Sequence, residues 1–221
     1  MSFDFSATLQ RGAQGLGVEL TPEATARLVG YFAELLQWSK KTNLISTEAG
    51  EEEIADKHFL DSLALLPHLG ETPAHLLDIG SGAGFPGLAC AAARPELSVT
   101  LVEPRLKRTV FLGHVARRLG LSRVQVLCCR AEDRDRLPDS WPCTHITCRA
   151  LTELGPFLHM VERFATAAPT LICMKGPKWR EEMRAAAPLL AASPYRLSAE
   201  RPYRLPLSGA ERMLLFFTVH R

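Results

Sequence analysis

The sequence has no apolar run approaching the ~18 residues that a membrane-spanning helix needs. Its first five residues, MSFDF, lack the basic end and apolar stretch of a signal peptide. It contains no internal repeat and no low-complexity tract. Apolar residues make up 47% and charged residues 23% of the 221 positions, which is typical of a globular chain rather than a disordered one. We therefore expect a soluble, cytoplasmic protein with no membrane partner.

Paired cysteines are also missing. The six cysteines include no CxxC pair and no spacing typical of a zinc site. Most lie in apolar stretches, so we expect small buried side chains in a reducing compartment. The chain is long enough to bury a core of its own, and we predict neither a disulfide nor a bound metal.

Neither sign of charge dominates, since 26 basic and 24 acidic side chains leave a net charge of +2. The charge is nevertheless uneven: residues 1–72 carry net −6, whereas residues 73–150 and 151–221 each carry net +4. This asymmetry permits an anionic partner on the larger part, although ordinary solvated surface explains it equally well.

Helical patterns fill the first 70 residues. Thr21, Pro22 and Glu23 form a typical helix start, followed by an apolar stripe at helical spacing. A second helix is predicted from about Glu51, where three acids suit a helix N-terminus, to about Gly70. We interpret residues 1–72 as a helical extension packed on the main domain.

From residue 75 the pattern alternates between strands and helices. Strands are predicted over 75–79, 98–103, 124–129, 144–148, 170–174, 195–203 and 213–219. Helices are predicted over 86–93, 105–119, 153–165 and 179–191. Alternation of this kind indicates a parallel sheet covered on both faces, and the last two strands read as an antiparallel hairpin. Residues 73–221 are thus predicted to form a Rossmann-like class I methyltransferase domain with a seven-stranded, mostly parallel sheet.

The strongest motif is LDIGSGAGFPG at residues 77–87. An apolar strand ends in Asp78, and Gly80, Gly82 and Gly84 then let the backbone turn sharply and approach a ligand. In the dinucleotide fingerprint GxGxxG the third glycine would fall at position 85, which is Phe85. The acid two residues before the first glycine, with GxGxG spacing, favours S-adenosylmethionine, which has no pyrophosphate to bind. We therefore predict S-adenosylmethionine as the cofactor.

Two further strand ends carry acids. Glu103 follows the second strand, where a carboxylate accepts hydrogen bonds from the two hydroxyls of a ribose. Ala131 and Glu132 follow the third strand, where an acid and backbone amides suit an adenine edge. Both positions favour a nucleoside cofactor, and a helix cap is the alternative interpretation of Glu132.

The end of the fourth strand, at Arg149, is where the methyl acceptor is expected. The sequence has no Asn/Asp-Pro-Pro-aromatic motif for exocyclic amines, no well-placed cysteine nucleophile and no obvious general base. A ring nitrogen with a free lone pair needs none of these, because it loses no proton on methylation. Catalysis then reduces to alignment and control of charge.

Several motifs together resemble those of the ribosomal small-subunit methyltransferase G family, also called glucose-inhibited division protein B. They are residues 78–87, 130–132, 149–150 and 175–176, with WSKKTNL at 38–44 and KHFLDSL at 57–63. The resemblance covers nearly the whole chain; Ser39 departs from the Asn that the family commonly has after the Trp. It implies methylation of guanine N7 in the decoding-region hairpin of 16S rRNA (guanine 527), using S-adenosylmethionine.

The resemblance also implies site residues. The cofactor residues carried over are Gly80, Phe85, Ala131, Glu132 and Arg149. The expected partner is 16S rRNA or the small ribosomal subunit, and the chain is expected to act as a monomer.

Besides Arg149, the candidates for the acceptor side are Lys175, His58 and Asp61. Lys175 closes the fifth strand at the same cleft, and we expect Arg149 and Lys175 to act by position and charge. His58 and Asp61 lie with Lys57 and Ser62 on one side of the second helix. That cluster either faces the cofactor cleft or ties the extension to the sheet, and no proton transfer is expected from it.

Two other classes of function stay open. One is a methyltransferase of the same fold acting on a small molecule or a protein; an enclosed acceptor pocket would favour the small molecule, whereas a large basic contact surface favours RNA. A non-catalytic nucleic-acid-binding module would not bind S-adenosylmethionine. A nicotinamide dehydrogenase is disfavoured by Phe85.

Overall fold

The computed structural model describes residues 3–46, 48–70, 73–149 and 152–220. Its N-terminal helices are α1 (Phe5–Gly15), α2 (Pro22–Ser39), α3 (Glu51–Ile54) and α4 (Asp61–Leu63). A π-helical turn (Ala55–Leu60) joins α3 to α4, and a 3-10 turn follows at Leu66–His68. The second predicted helix is therefore irregular, and it ends earlier than expected. The wide turn carries part of the KHFLDSL motif, and such turns are frequent at functional sites.

The remaining elements alternate as the sequence predicts. The strands are β1 (His75–Ile79), β2 (Ser98–Val102), β3 (Val124–Leu127), β4 (His145–Arg149), β5 (Thr170–Lys175), β6 (Tyr195–Arg204) and β7 (Glu211–Val219). The helices are α5 (Gly87–Ala93), α6 (Leu106–Arg118), α7 (Leu154–Val161), continued by a 3-10 segment (Glu162–Ala167), and α8 (Trp179–Ala192). Every strand bound lies within two residues of its predicted position. The third strand stops at Leu127 instead of 129, where the carbonyl of Cys128 accepts a hydrogen bond from Arg136 Nη1 (2.9 Å) instead of a ladder bond.

The seven strands form one sheet in the order β3-β2-β1-β4-β5-β7-β6. Pairing is parallel from β3 to β5, and β7 runs antiparallel to both β5 and β6. The predicted fold class is thus confirmed. Strand order reverses between β1 and β4, and in open α/β sheets ligands bind outside the carboxyl ends of the strands at such a point.

The N-terminal helices pack on one face of the sheet. Thr21 Oγ1 accepts the amide of Ala24 (3.1 Å) and begins α2 as expected. Buried side chains of α1, α2 and the π-helical turn share one hydrophobic cluster with β1, β2, α5 and α6. A second cluster lies on the other face, under α7 and α8. The predicted domain boundary falls at Thr72, outside the described residues, and it stays a prediction.

Tyr31 of α2 reaches into the loop that follows β1. It is fully buried, its hydroxyl donates to the carbonyl of Ala83, and its ring stacks on Phe85 with centroids 5.4 Å apart. A Cβ on Gly84 would lie 2.5 Å from the Tyr31 oxygen. The third glycine of the motif therefore makes room for the extension, and the extension in turn fixes the loop.

We expect Tyr31→Phe to lower the free energy of unfolding by about 1–3 kcal/mol, because it leaves the buried Ala83 carbonyl unpaired. Tyr195→Phe is the matched control: the Tyr195 hydroxyl is buried without a hydrogen-bond partner among the described residues. Its removal should be neutral or stabilising. Urea denaturation of both variants makes the comparison, and an equal loss in the two would contradict the role given to Tyr31.

Candidate functional site

The loop after β1 turns at three glycines with positive φ: Gly80 (76°), Gly82 (58°) and Gly84 (99°). The amides of Gly80 and Ser81 both donate to the carbonyl of Val102, at 2.8 and 3.1 Å, which ties the loop to the end of β2. The loop therefore lies at the carboxyl edge of the sheet, beside the reversal of strand order.

Only one side of this loop is open. A Cβ on Gly84 or on Gly87 would meet the protein, at 2.5 Å from Tyr31 and at 2.6 Å from Leu101 respectively. A Cβ on Gly82 would meet no atom nearer than 3.8 Å. The space beside Gly82 would therefore admit a ligand, whereas packing explains Gly84.

Glu103, the residue after β2, binds the loop at its open side. Its side chain is 3% exposed; Oε2 accepts the amide of Gly82 (3.0 Å) and Oε1 accepts the amide of Arg105 (2.9 Å). Each carboxylate oxygen has a second lone pair. Glu103 can thus accept two hydroxyls while it keeps the loop in place, as a ribose requires.

Asp78 is the buried acid at the end of β1. Its Oδ2 accepts the amide of Gly87 (2.9 Å), whereas its Oδ1 has no partner among the described residues. Burial raises the pKa of Asp78 to about 6. An unpaired buried carboxylate oxygen is costly, and a cationic ligand that donates to it removes that cost. With Gly82 and Glu103, this oxygen fits S-adenosylmethionine, which carries an ammonium group and a ribose.

Ala131 and Glu132 follow β3, next to Glu103. Ala131 is buried, and its carbonyl accepts Arg163 Nη2 (2.5 Å); Arg163 Nη1 also pairs with Asp139 (2.6 Å). Glu132 is exposed. The segment is thus fixed at the same edge of the sheet, with one buried and one exposed residue.

Arg149 ends β4 and is held by the extension. Its Nη1 donates to the carbonyl of Lys57 (2.5 Å) and to Asp61 Oδ2 (3.2 Å), and its Nη2 contacts His58 Nδ1 (3.0 Å). The guanidinium carbon lies 5.2 Å from the centroid of the Phe85 ring. Arg149 therefore joins the KHFLDSL motif to the glycine loop. Ala150, the next residue of its motif, lies outside the described residues.

His58 is bound as a neutral ring. Because the Arg149 guanidinium only donates, His58 Nδ1 must accept, which leaves the proton on Nε2. Burial, helped by the charge of Arg149, lowers the pKa of His58 to about 4. The ring also stacks on Phe85, with centroids 5.2 Å apart. His58 is thus neutral at physiological pH, with the nitrogen that could act as a base already occupied.

The Asp61 carboxylate contacts hydrogen-bond donors on three strands, β4, β6 and β7. Besides Arg149, its carboxylate accepts the Tyr203 hydroxyl (2.8 Å) and pairs with Arg212 Nε (3.3 Å). Burial and the Asp61 charge raise the pKa of Tyr203 well above its usual range. The cluster thus ties the extension to the hairpin β6–β7, and it also faces a cavity.

That cavity measures about 410 Å³ and is lined by Arg149, His58, Asp61, Lys175 and Arg212 among others. Lys175 is 8% exposed, and its Nζ pairs with Glu182 Oε2 (2.6 Å) and donates to the carbonyl of Thr152 (3.3 Å). Lys175 therefore faces the predicted cleft, but as half of an ion pair.

Lys57 and Ser62 reach the cluster less directly than the KHFLDSL pattern suggests. The Lys57 ammonium turns outward to Glu53 (2.8 Å), so only its carbonyl contacts Arg149. Ser62 Oγ donates to the carbonyl of His58 (2.5 Å).

Sequence reasoning missed Tyr31, Tyr203 and Arg212. Tyr31 lies within the apolar stripe of α2, where a hydroxyl among leucines was the available signal. Tyr203 and Arg212 face each other across the β6–β7 hairpin, and no local motif marks them.

No helix of the described ranges is long and apolar enough to cross a bilayer. Within those ranges there is also no cluster of three or more His, Cys, Asp or Glu side chains arranged to hold a metal ion.

Comparison with known proteins gives one family. The protein-family model described as rRNA small subunit methyltransferase G matches residues 24–199 of this chain. A Desulfotalea psychrophila protein named ribosomal RNA small subunit methyltransferase G is 50% identical over 215 residues, covering 97% of this chain and 99% of the relative. A Myxococcus xanthus protein of the same name is 38% identical, covering 96% of each chain.

Solved structures agree on the fold. The O-methyltransferase from Bacillus cereus in complex with SAH superposes with a TM-score of 0.59 at 16% identity, covering 86% of this chain and 91% of that one. A SAM-dependent methyltransferase from Aquifex aeolicus gives 0.55 at 19% identity, covering 86% and 98%. At these identities the likeness concerns the fold alone.

Proposed function

The chain belongs to the rRNA small subunit methyltransferase G family, and from that premise we propose that it methylates N7 of a guanine in small-subunit rRNA. When bound, S-adenosylmethionine supplies the electrophilic methyl group. Asp78, Gly82 and Glu103 are the residues that would hold it, for the reasons of hydrogen bonding and open space given above. We further propose that the target is N7 of the guanine in the decoding-region hairpin.

The observation that carries the choice of a ring nitrogen is the bond between Arg149 and His58 Nδ1. It occupies the histidine nitrogen that could otherwise remove a proton, and the low pKa of His58 makes the ring a poor base. An acceptor that must lose a proton would be left with Asp61, whose carboxylate already binds Arg149, Tyr203 and Arg212. Guanine N7 keeps its lone pair free and loses no proton.

Arg149 is then available to orient the base. A guanidinium has five N–H donors, of which the bonds to Lys57, Asp61 and His58 use three. Guanine presents O6 and N7 as neighbouring acceptors. We assign Arg149 a bond to O6, which aligns the ring while N7 stays open to attack. Lys175, paired with Glu182 at the same cavity, is assigned a positioning role.

We propose that the chain acts as a monomer, because the acceptors that hold Arg149 are supplied by its own extension. The substrate also places the activity in the cytoplasm, where small ribosomal subunits occur.

Purified protein, labelled S-adenosylmethionine and small subunits from a strain lacking the gene test the proposed function. We expect label in the rRNA as 7-methylguanosine, at one position, and none with Gly82→Val, because a branched residue at φ 58° both strains the loop and fills the ligand side. Label in protein or in a small molecule instead would support the other methyltransferase class.

The pKa of Asp78 predicts a pH dependence of cofactor affinity. A cation that donates to Oδ1 prefers the ionised carboxyl, so affinity should fall as the pH drops through about 6. Asp78→Asn should bind more weakly and lose this dependence. Calorimetry between about pH 5 and pH 7 measures it, and a wild-type affinity that stays constant over that range would remove Asp78 from the cofactor site.

An acceptor that loses no proton predicts a flat rate profile. With cofactor saturating, the single-turnover rate should stay nearly constant from about pH 6 to pH 8, because His58 titrates well below that range. His58→Ala should slow transfer by less than the ~10²–10⁴-fold typical of a lost general base. A rate that rises tenfold per pH unit in the wild type and collapses in His58→Ala would contradict the mechanism.

A further inference from the structure

A second cavity of about 450 Å³ lies beside the acceptor cavity, on the side of the β6–β7 hairpin. We call it the side groove; it is lined chiefly by Gly176, Trp179, Arg180, Tyr203, Arg204 and Arg212. Gly176 and Arg212 line both cavities, so the two lie side by side. Its volume is within the range of ordinary ligand pockets.

The groove is positively charged. Three arginines line it against one carboxylate, Glu211, which pairs with Arg204 (2.6 Å) at the exposed rim. Arg212 is partly compensated by Asp61 (3.3 Å). None of the ion pairs between described residues involves Arg180. The groove therefore carries net positive charge that suits an anionic strand.

Arg180 also offers a flat surface. Its guanidinium carbon lies 4.4 Å from the centroid of the Trp179 ring, which is 8% exposed and so fixed in the wall. The indole thus lies on one side of the guanidinium, while Arg180 as a whole is exposed. Arginine planes held in this way stack on unpaired RNA bases.

We propose that the side groove binds one unpaired nucleotide that neighbours the target guanine in the RNA strand. Its base stacks on the outer face of Arg180, and its phosphate lies against Arg204 and Arg212. The inference rests on the proposed function, because it assigns the groove to the same strand that enters the acceptor cavity. It also gives the site a means to prefer a loop over a paired stem, since a paired base cannot leave its helix to stack.

Steady-state methylation of small subunits by Arg180→Lys and Arg180→Ala tests the stack. Lysine keeps the charge and loses the plane, so both variants should raise KM about fivefold or more. Their kcat and their S-adenosylmethionine affinity, measured by calorimetry, should stay close to wild type. Arg184→Ala is the matched control: it removes the same charge one turn later on α8, outside the groove lining, and should change KM less than about twofold.

A KM for Arg180→Lys equal to that of wild type would overturn the stacking proposal. A KM increase in Arg184→Ala equal to that in Arg180→Ala would overturn it too, because RNA binding would then depend on charge alone. Failure of the proposed function gives a different result, because wild-type protein would then transfer no methyl group to the particles. In that case the affinity of the protein for a fluorescent single-stranded RNA of about eight nucleotides still tests whether the groove binds a nucleotide. Weaker binding to Arg180→Lys than to wild type supports it, and equal binding rejects it.

Discussion

The site depends on the position of one guanidinium, that of Arg149, which ends β4 at the centre of the sheet. Its three acceptors, the carbonyl of Lys57, His58 Nδ1 and Asp61, all come from the irregular helical segment of the extension. Loss of Asp61 would remove the carboxylate that pairs with Arg149, and removing one member of a buried charge pair costs about 3–5 kcal/mol. The contact that helps to hold the extension against the sheet thus also fixes the arginine that we propose binds the substrate.

Phe85 connects this cluster to the cofactor side. Its ring contacts Arg149 and His58 on one hand and Tyr31 on the other, and it directly follows the third glycine of the loop. The loop therefore adopts its shape under contacts from two parts of the extension. We therefore propose that the same buried aromatic side chain helps to position both S-adenosylmethionine and the acceptor.

Most of the fold could be predicted from sequence because strand and helix periodicities are local, and the cofactor loop because its residues are consecutive. The KHFLDSL motif indicated a polar cluster, but not its partner Arg149, which is about 90 residues away. Tyr203 and Arg212 meet Asp61 only after the hairpin has folded back, so no spacing reveals them. The Lys175–Glu182 pair was also invisible, since it depends on how α8 returns over the end of β5.

A double-mutant cycle on the single-turnover rate tests the central claim that His58 acts only by holding Arg149. With saturating S-adenosylmethionine and small subunits, His58→Ala should slow the wild-type enzyme, and Arg149→Lys should slow it more, because a lysine cannot reach all three acceptors. In the Arg149→Lys background, His58→Ala should then have almost no further effect. If His58→Ala slows both enzymes by the same factor, the histidine acts on the reaction independently of Arg149, and the account is contradicted.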